Sequence, residues 1–312
     1  MPPVIRFAAS PERWADYAGP LRRALAARGL AAAELSPEPL PPETVDYVVY
    51  APSSEVQDFS PYSRLKAVLT LWAGVEDVVG NPTLHAPLAR MVDPGLTEGM
   101  VEWVVGHVLR HHLGIDHCLA HQAGQWVRHV PPLARDRPVT VLGLGALGGA
   151  CARALAGLNF PVTGWSRTPR QVEGARCLSG PDGLDAALSG ARIVVLLLPD
   201  TPETENVMDA RTLALPAPGA VLINPGRGTL IDEAALLAAL ESGSIGHATL
   251  DVFRQEPLPP AHPFWAHPRV TVTPHIASET RPETAAEVIA ENVRRGEAGE
   301  PLLHLVDRTR GY

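Results

Sequence analysis

The sequence predicts an α/β protein of two domains, each a parallel β-sheet covered by helices. Three observations predict it. The chain has 312 residues, enough for two separate cores. Its first hundred residues alternate short apolar runs with helical patterns, and a second such alternation begins at Arg137 after a long helical stretch.

In the first alternation, strands are expected at Val4–Ala8, 45–50 and 67–71, and a helix at 11–28 closed by Gly29. The long helix is expected over about 97–123, started by Thr97 or Glu98. It would carry Val101, Val104, Val105, Val108 and Leu109 on one face at the 3.6-residue period. In the second alternation, strands fit at 139–142, 162–165, 193–197, 221–224, 248–251 and 270–273. The clearest helix between them runs over 232–242, capped by Asp232 and closed by Gly243. A last helix is expected over 282–295.

Composition narrows the function. A hydrophobic fraction of 46% and a charged fraction of 19% are ordinary for a soluble globular chain. A net charge of −8 argues against a nucleic-acid partner. No apolar run approaches a membrane span, and residues 1–10 lack the pattern of a secretory signal, so a cytoplasmic location is expected. Lys66 is the only lysine. It lies outside any glycine-rich context, which disfavours Schiff-base chemistry and a phosphate loop ending in Gly-Lys-Ser/Thr. Cys118, Cys151 and Cys177 are few and far apart, and are expected to be buried reduced thiols.

The most informative local feature is a strand, 139–142, running into Gly143-Leu-Gly145-Ala146-Leu147-Gly148 and then an alanine-rich helix. Gly143 permits a tight turn, Gly145 lets backbone N–H groups approach a pyrophosphate, and Gly148 lets helix and strand pack closely. This is the pattern of a Rossmann-like dinucleotide site. The next strand ends at Gly164-Trp165-Ser166-Arg167-Thr168. A site for NAD(H) places a carboxylate there to bind the ribose 2′-hydroxyl. Ser166 and Arg167, with Arg170 nearby, suit a 2′-phosphate instead. NADP(H) is therefore the expected cofactor, with NAD(H) as a weaker alternative.

Three further segments fall where such a fold gathers chemistry, at the carboxyl ends of strands: 224–232, 250–259 and 273–277. They carry Arg227, Glu256 and His275. Reduction of a 2-oxo acid needs a cation to fix the carboxylate and polarise the carbonyl, and Arg227 has the forked geometry for it. It needs a proton donor, which suits His275. It also needs a group that favours the protonated imidazole, which suits Glu256.

With those residues in hand, the chain resembles the D-isomer-specific 2-hydroxyacid dehydrogenase family, and within it the glyoxylate/hydroxypyruvate reductase A branch. The resemblance is strong from about Pro138 onward. It rests on Leu198-Pro199 followed by Thr201 and Thr204, the Asn224-x-x-Arg-Gly run, Leu250-Asp-Val-Phe, Glu256-Pro-Leu-Pro, Pro274-His-x-Ala and the run 306–312. It is looser over the first 100 residues, chiefly at Ala73-Gly74-Val75.

The resemblance implies two Rossmann-like domains with the active site in the cleft between them. Residues 1–100 with 279–312 would bind substrate, and residues 101–278 would bind the dinucleotide. It implies Arg227, Glu256 and His275 as the catalytic trio and Asp251 beside the nicotinamide. Further cofactor contacts would come from Thr168, Leu198, Pro199, Thr204, Pro225, Gly226 and His275. Backbone N–H groups of Ala73, Gly74 and Val75, flanked by Trp72, would hold the carboxylate of a small 2-oxo acid together with Arg227 and His275. A homodimer built around the long helix is also implied. A nucleotide-sensing binding protein on the same fold is the rival reading, since fold alone does not separate the two, and a dehydrogenase for a different 2-oxo acid is the other alternative.

This chain departs from the family pattern at Trp72, at Pro225-Gly226 and at Ser278-Glu279. His107, His111, His117 and His121 form two i, i+4 pairs, a spacing that can bind zinc. They lack the accompanying motif of a metal helix and are read as solvated or interface histidines, with no metal site. Trp103 and Trp126 are read as packing or dimer-contact residues.

Overall fold

The computed structural model describes residues 1–309 and 311; Arg310 and Tyr312, part of the 306–312 run, lie outside the described residues. The chain divides into two compact units, one of Met1–Leu96 with Glu279–Tyr312 and the other of Thr97–Ser278.

The first unit holds a five-stranded, wholly parallel sheet of order β2-β1-β3-β4-β5. Its strands are β1 (Val4–Ala8), β2 (Glu34–Ser36), β3 (Tyr47–Tyr50), β4 (Ala67–Thr70) and β5 (Leu88–Ala89). Helix α1 (Pro11–Ala27) starts on a proline, whose fixed φ suits a first turn. It gives way at Arg28 to Gly29, at φ +77°. It packs beside α9 (Pro282–Ala298), the last helix in chain order, over a core that includes Phe7, Tyr17, Leu21, Tyr47 and Ile289. A one-turn helix, α2 (Glu76–Val79), lies on the other core with Tyr50 and Phe59. The edge strands β2 and β5 were not expected from the sequence, because two or three residues cannot show a period.

The second unit holds a seven-stranded parallel sheet of order β12-β11-β10-β9-β6-β7-β8. The strands are β6 (Val139–Leu142), β7 (Val162–Ser166), β8 (Ala175–Ser179), β9 (Ile193–Leu196), β10 (Ala220–Asn224), β11 (Ile245–Leu250) and β12 (Val270–Val272). Strand β8 is a half-buried edge with no apolar run, and it too escapes a pattern search. Helix α5 (Ala146–Gly157) follows β6, and α6 (Pro181–Leu188) follows β8. Helix α7 (Glu233–Ser242) follows β10; Asp232 accepts the N–H of Ala235 at its start, and Gly243 closes it in the left-handed conformation. The sheet order reverses at β6, so the loop after β6 sits at a topological switch point.

The long helix differs from expectation. It starts at Pro94 and breaks after Leu113, giving α3 (Pro94–Leu113) and a separate α4 (Ile115–Ala120). Asp93 accepts the N–H of Leu96 and so fixes the earlier start. Gly114 has φ +68°, and a Cβ there would lie 2.6 Å from the His129 ring, which explains the break. The apolar face is as predicted: Val104 and Val108 are fully buried, with Val101, Val105 and Leu109 packed beside them. The cysteines correct the sequence reading in part. Cys151 is buried, its thiol pushed up to about 12 by that burial, but Cys177 is half-buried and Cys118 exposed.

The His111 and His112 side chains of α3 are buried, not solvated. The His111 ring is buried against His247 of β11, with ring centroids 4.8 Å apart. His111 Nε2 lies 2.8 Å from Thr249 Oγ1, and His247 Nε2 lies 2.9 Å from Thr271 Oγ1. Burial pushes His111 down to about 3 and His247 down to about 4, assisted by the charge of Arg110 and opposed by Asp116. Both folded values lie below the unfolded value of about 6.5. Their contribution to stability is therefore complete above about pH 6.5 and is lost as pH falls, because only the unfolded chain takes up the protons. The melting temperature should drop between about pH 6.5 and pH 4, and His111→Gln should flatten that drop. Parallel melting curves for parent and variant across this window would show that His111 has no part in it.

Candidate active site

Gly143 and Gly148 are demanded by the protein's own packing. Gly143 has φ +103°, and a Cβ there would lie 2.4 Å from Leu197 O; a Cβ on Gly148 would lie 1.8 Å from Gly143 O. Gly145 is different. A Cβ at Gly145 would meet nothing within 4 Å, and no side chain caps α5, which begins at Ala146 and Leu147. The glycine thus leaves open space directly over a 12-residue helix N-terminus, where backbone N–H groups and the helix dipole suit a phosphate. The residues present fit a dinucleotide pyrophosphate.

Strand β7 ends at Ser166, which is buried and donates its hydroxyl to Thr168 O at 2.8 Å, forming the turn. Arg167 is exposed at the tip of that turn and helps hold the Glu203 carboxyl below its usual range, behind the larger effects of Glu203's own backbone and Thr201. Arg170 lines an open depression with Gln171, Val172 and Glu173. After β9, Leu198 is buried, and the Thr204 hydroxyl donates to Pro199 O at 2.7 Å, so Thr204 shapes the loop.

The catalytic candidates are positioned by buried polar anchors at the ends of β10, β11 and β12. Asn224, fully buried, accepts the N–H of Gly226 at 3.0 Å and donates to Arg227 O at 2.8 Å, setting the turn that carries Arg227. Arg227 donates Nη1 to Gly226 O at 2.7 Å. The unusual Gly226 has a local reason: a Cβ there would lie 2.8 Å from Leu196 O. Gly228 packs closer still, since its Cβ would lie 2.0 Å from the Phe253 carbonyl carbon. Arg254 locks the same contact by donating to Thr229 O at 3.0 Å and to Ile231 O at 3.1 Å. The loops after β10 and β11 are therefore fastened together.

Asp251 organises the loop after β12. Its N–H is donated to Asn224 O. Its carboxylate, fully buried, accepts Thr273 Oγ1 at 2.5 Å and the N–H groups of Ile276 at 2.9 Å and Ala277 at 2.8 Å. The His275 N–H donates to Asp251 O at 2.8 Å, holding His275 at φ +55°. A non-glycine residue there is uncommon and persists because its surroundings impose it. The His275 ring projects from this frame, with its side chain 54% exposed. His275 Nδ1 lies 2.6 Å from Glu256 Oε2, while Glu256 Oε1 accepts the Phe253 N–H at 2.9 Å. Both carboxylate oxygens are engaged, so Glu256 is fixed and its partner nitrogen is Nδ1. That leaves Nε2 as the nitrogen available for proton exchange with a ligand.

The structure thus brings Glu256 and His275 into direct contact and links Arg227 to the same strand ends through Asn224. Asn224 and Thr273 went unread as anchors in the sequence; their signal, a small polar residue ending a buried strand, is too common to single them out. Ala73, Gly74 and Val75 belong to the other unit, in the loop after β4. Trp72 packs against that unit's core, its carbonyl accepts Thr70 Oγ1 at 2.7 Å, and Arg13 stands 6.0 Å over its ring.

Residues 105–277 match the model of the D-isomer specific 2-hydroxyacid dehydrogenase NAD-binding domain. The chain is 40% identical over 277 residues to glyoxylate/hydroxypyruvate reductase A of Serratia proteamaculans, covering 86% of this chain and 88% of that one. Among solved structures, it resembles a D-isomer specific 2-hydroxyacid dehydrogenase of Xanthobacter autotrophicus Py2 in complex with NADPH and MES. The TM-score is 0.93 and the identity 41%, with both chains fully covered. It also resembles an NADPH-dependent glyoxylate/hydroxypyruvate reductase of Sinorhizobium meliloti in complex with NADP and sulfate. There the TM-score is 0.87 and the identity 36%, again over the whole of both chains.

Proposed function

Because the chain belongs to the D-isomer specific 2-hydroxyacid dehydrogenase family, we propose that it reduces glyoxylate or hydroxypyruvate to glycolate or D-glycerate with NADPH. The observation that carries this reading is the fixed His275–Glu256 pair at the strand ends of a dinucleotide fold. The glycine loop and the start of α5 would hold the pyrophosphate, and Arg167 would pair with a 2′-phosphate in place of the carboxylate that an NAD(H) site would carry. Bound NADPH supplies the hydride. Arg227 pairs with the substrate carboxylate and draws electron density toward the carbonyl oxygen. His275, with Nδ1 held by Glu256, gives the proton on Nε2 to that oxygen and is left neutral. Backbone N–H groups of Ala73–Val75 hold the carboxylate on the first unit.

Two copies of the chain form a dimer around α3 and α4. In its support, Leu113 and Ile115 at the junction of α3 and α4 and Leu119 of α4 are exposed, as is Trp126 in the segment that follows, at 95%, and large exposed apolar side chains suit a partner surface. No described helix is long and apolar enough to cross a membrane, and the cytoplasm is the compartment we assign.

The test is a panel of 2-oxo acids against NADPH and NADH, followed at 340 nm, with Arg167→Ala alongside the parent. NADPH should be preferred. Arg167→Ala should weaken NADPH by about 1.5–3 kcal/mol, the scale of a hydrogen bond to a charged group, and leave NADH unaltered. Equal losses for both cofactors would sink the assignment of Arg167.

A further inference from the structure

We propose that Arg308 is a positioning residue for the substrate, a strap that holds the carboxylate-binding loop in its binding conformation. This rests on the reading that Ala73–Val75 hold the carboxylate. Those residues run into α2 through Val75, whose carbonyl accepts the N–H groups of Val78 and Val79. A single turn of helix has little stability of its own, so the segment that follows must be held from outside. Arg308 does this with one guanidinium. Its Nε donates to Val79 O at 3.0 Å, its Nη2 to Asn81 O at 2.8 Å, and its Nη1 to Leu84 O. Only arginine presents several N–H donors in one rigid plane with the reach to bridge three carbonyls.

The strap is itself anchored. Leu305 bridges antiparallel to Ala89, Val306 donates its N–H to Leu88 O at 2.8 Å, and Arg90 donates its N–H to His304 O at 3.0 Å. Asn292, buried in α9, accepts the Leu303 N–H at 2.7 Å. Beyond Arg308, the Asp307 carboxylate accepts both the N–H and the hydroxyl of Thr309, fixing the turn from which Arg308 projects. At the other end of the loop, Trp72 O accepts the Met91 N–H at 3.1 Å. Segment 72–84 is thus pinned at both ends. Without Arg308, three carbonyls return to water, and residues 73–75 lose part of the support that α2 and the segment after it give them. The cost falls on substrate affinity. Turnover is spared, because Arg227, Glu256 and His275 lie in the other unit.

The experiment compares the parent with Arg308→Ala and Arg308→Lys in steady-state glyoxylate reduction, in competitive inhibition by oxamate and by its uncharged amide oxamide, and in thermal melting. Arg308→Ala should raise the KM for glyoxylate and the inhibition constant of oxamate about tenfold. The KM for NADPH, kcat and oxamide binding should stay at parental values, with the melting temperature lowered by no more than a few degrees. Arg308→Lys should fall between, since one ammonium cannot reach three carbonyls. An unchanged KM for glyoxylate overturns the proposal. So does a parallel rise in both KM values accompanied by a lower melting temperature, which is what a purely structural role gives. The parent alone tests the underlying reading: if it binds oxamide as tightly as oxamate, the loop does not recognise the carboxylate, whatever Arg308 does.

Discussion

His275→Ala should turn over glyoxylate about 10²–10⁴ times more slowly than the parent, the usual worth of a positioned general acid, while binding NADPH undiminished. Two features make this specific to chemistry. The frame that holds residue 275 is made of backbone and Asp251 contacts: the N–H to Asp251 O, and the Asp251 carboxylate to Thr273, Ile276 and Ala277. None of these bonds uses the imidazole, so alanine leaves the loop in place. The ring itself is more than half exposed and its recorded partner is Glu256, so its removal opens no cavity in the core. A loss of rate without loss of folding or cofactor affinity is the signature of a missing proton donor.

Arg227→Ala is the second large effect. A preorganised cationic donor aimed at developing negative charge is typically worth about 10²–10³ in rate, and kcat/KM for glyoxylate should fall by at least that much. Arg227→Lys should recover only a small part, because an ammonium lacks the planar fork that meets a carboxylate with two bonds. Asn224 orders the turn through backbone groups of Gly226 and Arg227, so the turn keeps these two bonds when the side chain, with its own bond to Gly226 O, is removed. Steady-state kinetics with a melting curve decide between roles. Parental kcat/KM with a lowered melting temperature would make Arg227 a packing residue.

Much of this arrangement is readable from the sequence, and the reasons are local. Buried parallel strands show as apolar runs, a capped helix shows as Asp232 and Gly243, and a dinucleotide turn shows as three spaced glycines. What escaped was set by long-range contacts. Gly226 looks like a mere departure until Leu196 O is seen against it. His111 reads as a solvated or interface helix residue, yet strand β11 brings Thr249 and His247 to it from more than 130 positions away. Asp251 is implied by resemblance as a cofactor neighbour, but its carboxylate is occupied in holding residues 22–26 positions further on, a task no spacing rule reveals. Helix α3 ends before Gly114, which is left-handed with the His129 ring in the space a Cβ would fill, while a tolerated glycine elsewhere in the same helix, Gly106, meets nothing.

On the proposed mechanism, His275 delivers the proton that completes carbonyl reduction. The most direct measurement is single-turnover mixing of glyoxylate with NADPH-loaded parent and His275→Ala, following NADPH fluorescence, with the affinity for NADPH taken from a titration of the same samples. NADPH affinity should be equal, and the decay in the variant slower by the full margin expected of a lost general acid. A variant that consumes bound NADPH as fast as the parent would contradict this mechanism, as would a parent that binds NADPH and never consumes it.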